Sequence, residues 1–169
     1  MDVLKALGIK NGPGHGEYKM SPSGDVCLVE IGSRCHGAEG CWREVARESH
    51  GIDQVTSTAD AYLEPAAFDA LPQYPPRHKA FPRVVFMISY EEGVLKEFNP
   101  KFFEEIKKFR SFRAMELFIQ PGQKVMPTTD CFTFVGNLRM CHVDEAVVQG
   151  EYDRIREMEQ SGEMLIFEN

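Results

Sequence analysis

HGEYKMSPSGDVCLVEIGSRCHGAEG, residues 15–40, sets two short apolar-rich runs on either side of Ser21-Pro22-Ser23-Gly24. Proline at the second position of a turn and glycine at the fourth are preferences of a type I turn. The pattern predicts a β-hairpin with strands over 15–20 and 25–31, then a glycine-bearing loop and a helix. If Ser21 and Gly24 close a two-residue loop, Glu17 faces Leu28 and His15 faces Glu30. Glu17 and Glu30 are then diagonal neighbours on one face, about 7–8 Å apart. The other face reads Tyr18, Met20, Cys27, Val29 and Ile31, the apolar side of a half-buried hairpin.

Two carboxylates brought together repel unless a cation lies near them. A pair of hard oxygen ligands suits Mg²⁺. The plain alternative is a surface hairpin with two solvated glutamates. Against it, Glu30 sits inside the apolar run Cys27-Leu28-Val29-Glu30-Ile31, and Arg34 and His36 follow at once among Gly32, Gly37 and Gly40. Glycines there let backbone approach a ligand closely. His36 reads either as a general base or as a hydrogen-bonded structural residue. Cys35, His36 and Cys41 with a distant fourth ligand form a weaker, zinc-type alternative.

The pattern Glu17…Leu28-Val29-Glu30-Ile31-Gly32-Ser33-Arg34-Cys35-His36-Gly37 resembles the metal and substrate segment of the ATP-grasp ligases. The resemblance implies that Glu17 and Glu30 hold Mg²⁺ (or Mn²⁺) against the phosphates of ATP. It makes Arg34 the catalytic arginine that contacts the substrate or the acyl-phosphate, with His36 and Gly37 beside the substrate. Many members carry Glu-x-Asn-x-Arg, the asparagine being a further metal ligand; here that position is Gly32. A small residue there followed by Arg-x-x-Gly is closer to ATP-grasp ligases acting on amino acids, including dipeptide-forming ones. The implied reaction joins a small-molecule carboxylate to an amine through an acyl-phosphate, with Mg-ATP.

Composition narrows the classes. The 169 residues suffice for one ordinary domain or two small ones. A net charge of −7 argues against a general nucleic-acid binder. No apolar run is long enough to span a membrane, and MDVLKALGIK lacks the layout of a signal peptide. Five cysteines without a Cys-x-x-Cys pair read as reduced thiols of a cytoplasmic protein.

Along the chain, residues 2–7 read as the end of a helix stopped by Gly8, and Asn11-Gly12-Pro13-Gly14 as a turn. Helices are predicted over 41–49 and 52–63, the second with Ile52, Val55, Ala59, Tyr62 and Leu63 on a core face. Residues 65–82 read as a proline-rich connector. Residues 83–90 form the strongest strand, turning at Glu91-Glu92-Gly93 into a partner over 94–98. A helix opens at Pro100 and runs to about Phe109. Strands follow near 113–119, 124–126, and 129–135 and 138–142 around Gly136-Asn137. Asp144 then caps a helix with Val147, Val148, Tyr152, Ile155 and Met158 as its stripe. Lys107, Lys108, Arg110 and Arg113 read as a solvated face.

These elements describe an α+β protein of antiparallel hairpins with flanking helices. By resemblance, residues 1–64 correspond to the C-terminal part of an ATP-grasp domain and residues 83–169 to an α+β C-terminal subdomain. The glycine loop and lysines that clamp nucleotide in this family precede the metal segment. The chain is therefore expected to need that N-terminal half, on the same or a partner chain, and to be inactive alone. A non-catalytic binding module that keeps the fold, and a small metal-dependent hydrolase using Glu17, Glu30 and His36, are the alternative readings.

Overall fold

The structure, a computed structural model, describes residues 2–74 and 76–168. Pro75, within the expected connector, lies outside them, as do Met1 and Asn169. The chain forms two compact units: residues 1–43 with 52–75, and residues 44–51 with 76–169.

The first unit runs through α1 (Asp2–Ala6), β1 (His15–Met20), β2 (Val26–Gly32), a 3-10 turn at Ala38–Gly40, α3 (Gln54–Leu63) and α4 (Pro65–Asp69). Between the 3-10 turn and α3 lies α2 (Arg43–His50), which from Glu44 onward belongs to the second unit. Gly8 ends α1 with φ +69°, a conformation that favours glycine. Pro65 sits in the first turn of α4, where its missing N–H costs nothing. Thus the start of the expected connector is helical.

β1 and β2 form the predicted hairpin, with a different register. Ser21 N–H donates to the Asp25 carbonyl at 2.9 Å and Gly24 N–H to the Ser21 carbonyl at 2.9 Å. Gly24 has φ +87°. The loop is therefore three residues long, a type I turn followed by a left-handed glycine. This moves the pairing by one, to Tyr18↔Leu28 and Met20↔Val26. A bulge between Glu17 and Tyr18 moves it once more, to Glu17↔Glu30 and His15↔Gly32. A one-residue slip exchanges the faces of a strand, and the second slip restores them. Glu17 and Glu30 share a face as predicted, as direct partners rather than diagonal ones.

The apolar side of the hairpin is not half-buried as predicted. Tyr18 is 58% exposed, Met20 75% and Val29 57%. The core face predicted for α3 is likewise open at Tyr62 and Leu63. In the first unit only Cys41 and Asp53 are buried among the described residues.

The second unit holds the hydrophobic core. β3 (Phe81–Met87), β4 (Gly93–Phe98), α5 (Pro100–Lys107), β5 (Phe112–Leu117), β6 (Lys124–Val125), β7 (Gly136–His142), α6 (Glu145–Gln160) and β8 (Leu165–Phe167) follow in order. Antiparallel pairing gives one sheet in the order β3–β7–β5 and another in the order β6–β4–β8. Val148, Ile155 and Met158 of α6 join Val85, Met87, Leu138 and Met140 of the first sheet in one cluster, with Phe102 and Ile106 of α5. Asp144 caps α6 as predicted, accepting from Ala146 N–H at 3.0 Å.

Two expectations fail here for identifiable reasons. β3 and β4 are not hairpin partners. Ser89 N–H donates to Thr128 Oγ1 at 3.0 Å and Thr128 N–H to the Ser89 carbonyl at 2.8 Å. This tie holds residues 88–92 away from β3 and carries the chain to the other sheet. Residues 129–135 are a turn rather than a strand, closed by Asp130 and Thr133. Asp130 Oδ1 accepts from Phe132 N–H, and Thr133 Oγ1 from Thr129 and Asp130 N–H. Gly136-Asn137 then opens β7. Arg113 is exposed as predicted, and its guanidinium there forks onto Glu48, Nε at 2.6 Å from Oε2. That bond holds the Glu48 carboxyl below its ordinary range.

Gly136 is required by close approach. A β-carbon there would collide with the Glu116 carbonyl oxygen and lie 2.9 Å from Met87 Cε and 3.1 Å from Leu117 Cα. Backbone of the adjoining strand cannot swing aside as a side chain can. Gly136→Ala should therefore cost about 3 kcal/mol, the upper range for overpacking, and lower the melting temperature by roughly 10 °C. A calorimetric scan showing an unchanged melting temperature would contradict this packing.

Candidate functional site

The bulge at Glu17/Tyr18 sets the geometry of the site. Bulges re-aim side chains and are common beside functional groups. Here one places Glu17 directly opposite Glu30, where side chains stand about 5 Å apart at their β-carbons. Both are exposed. His15 lies two residues before Glu17 and so on the same face.

Beyond β2 the chain folds back on itself. A β-carbon on Gly32 would meet the Arg34 side chain, 3.4 Å from Cγ and 3.5 Å from Nε, and one on Gly37 would lie 3.8 Å from Nη1. The Arg34 side chain thus lies between these two glycines. Its Nη1 donates to the Cys35 carbonyl at 3.0 Å. Gly32 borders the stem of the arginine. Ala38 (φ +55°) and Glu39 (φ +51°) follow in the left-handed region. Each costs a non-glycine residue about 1–2 kcal/mol. Strain of this kind persists only where surrounding contacts impose it.

Those contacts can be traced. Asp53 is buried and caps α3, its Oδ1 accepting from Val55 and Thr56 N–H at 3.0 Å each. The cap fixes the first residue of the helix, Gln54, whose amide then ties two loops together. Gln54 Oε1 accepts from His36 N–H at 2.7 Å, and its Nε2 donates to the Gly14 carbonyl at 3.0 Å. Trp42 Nε1 donates to the Gly37 carbonyl at 2.9 Å. His36 Nδ1 lies 2.8 Å from His15 Nε2, and the His36 ring is tilted against Trp42 with centroids 5.5 Å apart.

The structure therefore gathers Arg34, His36 and Gly37 in one loop, beside His15. Burial lowers the pKa of His36, with His15 and Arg34 acting in the same direction and Glu17 opposing them. The Glu17 field links this loop to the acidic pair. His15, Trp42 and Gln54 escape the sequence reading. His15 alone carried a legible signal, its shared face with Glu17. Trp42 and Gln54 become visible only once the 3-10 turn and the helix cap are in place.

Among the described residues no three His, Cys, Asp or Glu side chains converge on a metal-sized site. Neither the zinc-type set at Cys35, His36 and Cys41 nor a three-ligand centre of Glu17, Glu30 and His36 is assembled. Mg²⁺ asks less of a protein, one or two carboxylates, with phosphate oxygens and water completing its shell. The exposed pair Glu17 and Glu30 meets that requirement. No helix among the described residues is long and apolar enough to cross a membrane.

Comparison with known proteins decides the fold. The L-amino acid ligase from Bacillus licheniformis superposes with a TM-score of 0.78 at 21% identity, over 98% of this chain and 40% of that one. The fold is that of the ATP-grasp ligases. Phosphoribosylglycinamide synthetase from Anaerococcus prevotii shares the ATP-grasp framework, with a TM-score of 0.68 and 17% identity over 98% of this chain and 39% of that one. In sequence, dapdiamide A synthase of Enterobacter agglomerans is 28% identical over 161 residues, 94% of this chain and 37% of that protein. No family model matches. The chain spans about two-fifths of the length of these ATP-grasp relatives.

Proposed function

We propose that this chain is the C-terminal, metal- and substrate-binding portion of an ATP-grasp ligase that joins the carboxylate of one amino acid to the amine of another. The observation that carries the reading is the direct pairing of Glu17 with Glu30 at a bulge, on the hairpin that leads into the Arg34 loop. The choice of amino acids draws on the relatives, an L-amino acid ligase and dapdiamide A synthase among them. The open apolar surface of the first unit, with Val3 40% and Leu7 58% exposed, suits packing against a nucleotide-clamping half. Leu4 and Trp42 are half-buried.

Each residue then has a task. Glu17 and Glu30 would hold Mg²⁺, which when bound neutralises phosphate charge and polarises the phosphoryl oxygens. Arg34 presents a planar fork to a carboxylate or acyl-phosphate. The Gln54 and Trp42 bonds keep the 36–37 backbone in place, and positioning is the main contribution a protein makes to such a transfer.

Isotope transfer tests the reaction class. With the ligase assembled from both halves and a carboxylate substrate labelled with ¹⁸O, an acyl-phosphate path carries one labelled oxygen into the released phosphate. Unlabelled phosphate accompanying product formation would overturn the reading.

A further inference from the structure

Apart from the Arg34 loop, the first unit contains a cavity of about 530 Å³, within the range of small-molecule sites. Its walls come from the 10–13 turn, from α3 and from α4, and include Lys10, Gln54, Ala61, Tyr62, Phe68 and Asp69. Lys10 and Asp69 bring opposite charges to one cavity, and among the described residues neither makes an ion pair. Tyr62 is 69% exposed and Phe68 43%, although large aromatic side chains are ordinarily well buried. Two unpaired opposite charges with two open aromatic rings match a small zwitterion that carries an apolar side chain.

We propose that this cavity binds a free α-amino acid with an aromatic or large aliphatic side chain. Lys10 takes the carboxylate, Asp69 takes the ammonium, and Tyr62 and Phe68 cover the side chain. The site is separate from Arg34 and does not depend on the ligase reading. It communicates with the Arg34 loop through one residue, because Gln54 lines the cavity and also accepts the His36 N–H hydrogen bond. An occupant that moves Gln54 changes the setting of His36. The effect on any activity of that loop would be regulatory.

Titration calorimetry on the purified chain with L-phenylalanine tests the proposal, alongside L-phenylalaninamide, which lacks the carboxylate, and 3-phenylpropionate, which lacks the ammonium. Phenylalanine should bind, and each analogue should bind at least fivefold more weakly, about 1 kcal/mol for an exposed charge contact. Asp69→Asn should erase the preference for phenylalanine over 3-phenylpropionate, and Lys10→Gln its preference over the amide. In Arg34→Ala the preference for phenylalanine over both analogues, set by Lys10 and Asp69, should persist. The amide resonance of His36 should shift as phenylalanine is added. No binding up to the solubility limit would overturn the proposal. So would equal binding of all three compounds, the mark of an apolar patch that only another protein surface covers. Loss of binding in Arg34→Ala with retention in Asp69→Asn would place the ligand at the Arg34 loop, and would also overturn it.

Discussion

Glu30→Gln is expected to reduce ATP-dependent ligation by about a hundredfold or more while leaving the metal-free protein slightly more stable. The two effects have opposite signs because one interaction has opposite consequences in the two states. Glu17 and Glu30 are direct cross-strand partners, and like charges placed so destabilise a hairpin by up to about 1 kcal/mol. Replacing one carboxylate with an isosteric amide removes that repulsion, so the melting temperature without metal should hold or rise. With Mg-ATP present the same change removes one of the two carboxylates that would help the phosphates hold the cation. Metal stabilisation of transferring charge is worth several kcal/mol, and about 2.7 kcal/mol is a hundredfold in rate. Glu17→Gln should behave alike. Thermal scans with and without Mg²⁺, beside phosphate release from the assembled enzyme, give both readings. Full activity in both variants would remove the carboxylates from the metal site.

That prediction depends on a register that the sequence does not announce. The turn residues and the alternating runs make the hairpin legible, since Pro22 and Gly24 have one obvious use. Loop length is harder. Ser21-Pro22-Ser23-Gly24 serves a two-residue or a three-residue loop, and the left-handed Gly24 selects the longer. The bulge at Glu17 has no local signature. The shared face of the acidic pair survives because two slips restore parity. Gly136-Asn137 shows the opposite case. Asn-Gly and similar pairs between apolar runs are strong local turn signals, but here the glycine makes room for the carbonyl of Glu116. A contact between distant residues overrides local preference, and single-sequence reading has no access to it. Arg113 is similar, since its partner Glu48 lies far away in sequence. The cluster at Gln54 needs three separate elements before it exists.

Arg34→Lys is expected to cost tenfold to a hundredfold in kcat/KM for the carboxylate substrate, although it preserves charge. Arginine offers a rigid planar fork, whereas lysine is a flexible point charge. Nη1 of Arg34 already bonds to the Cys35 carbonyl, and the stem lies between Gly32 and Gly37. One arm of the fork is thereby anchored on the protein, which leaves the remaining N–H groups pre-aimed. A lysine satisfying the Cys35 carbonyl would have its single nitrogen held there and no second arm to present. A lysine reaching for substrate would leave the Cys35 carbonyl without its donor, next to the strained Ala38 and Glu39. Either compromise weakens the transition state more than the resting complex, so kcat should fall further than KM rises. Gly32→Ala separates anchoring from charge. Its β-carbon would sit in ordinary contact with the arginine stem, so near-normal activity is expected. An arginine that merely extends into solvent would tolerate Arg34→Lys, and kinetic constants within twofold of the parent enzyme would assign it that role.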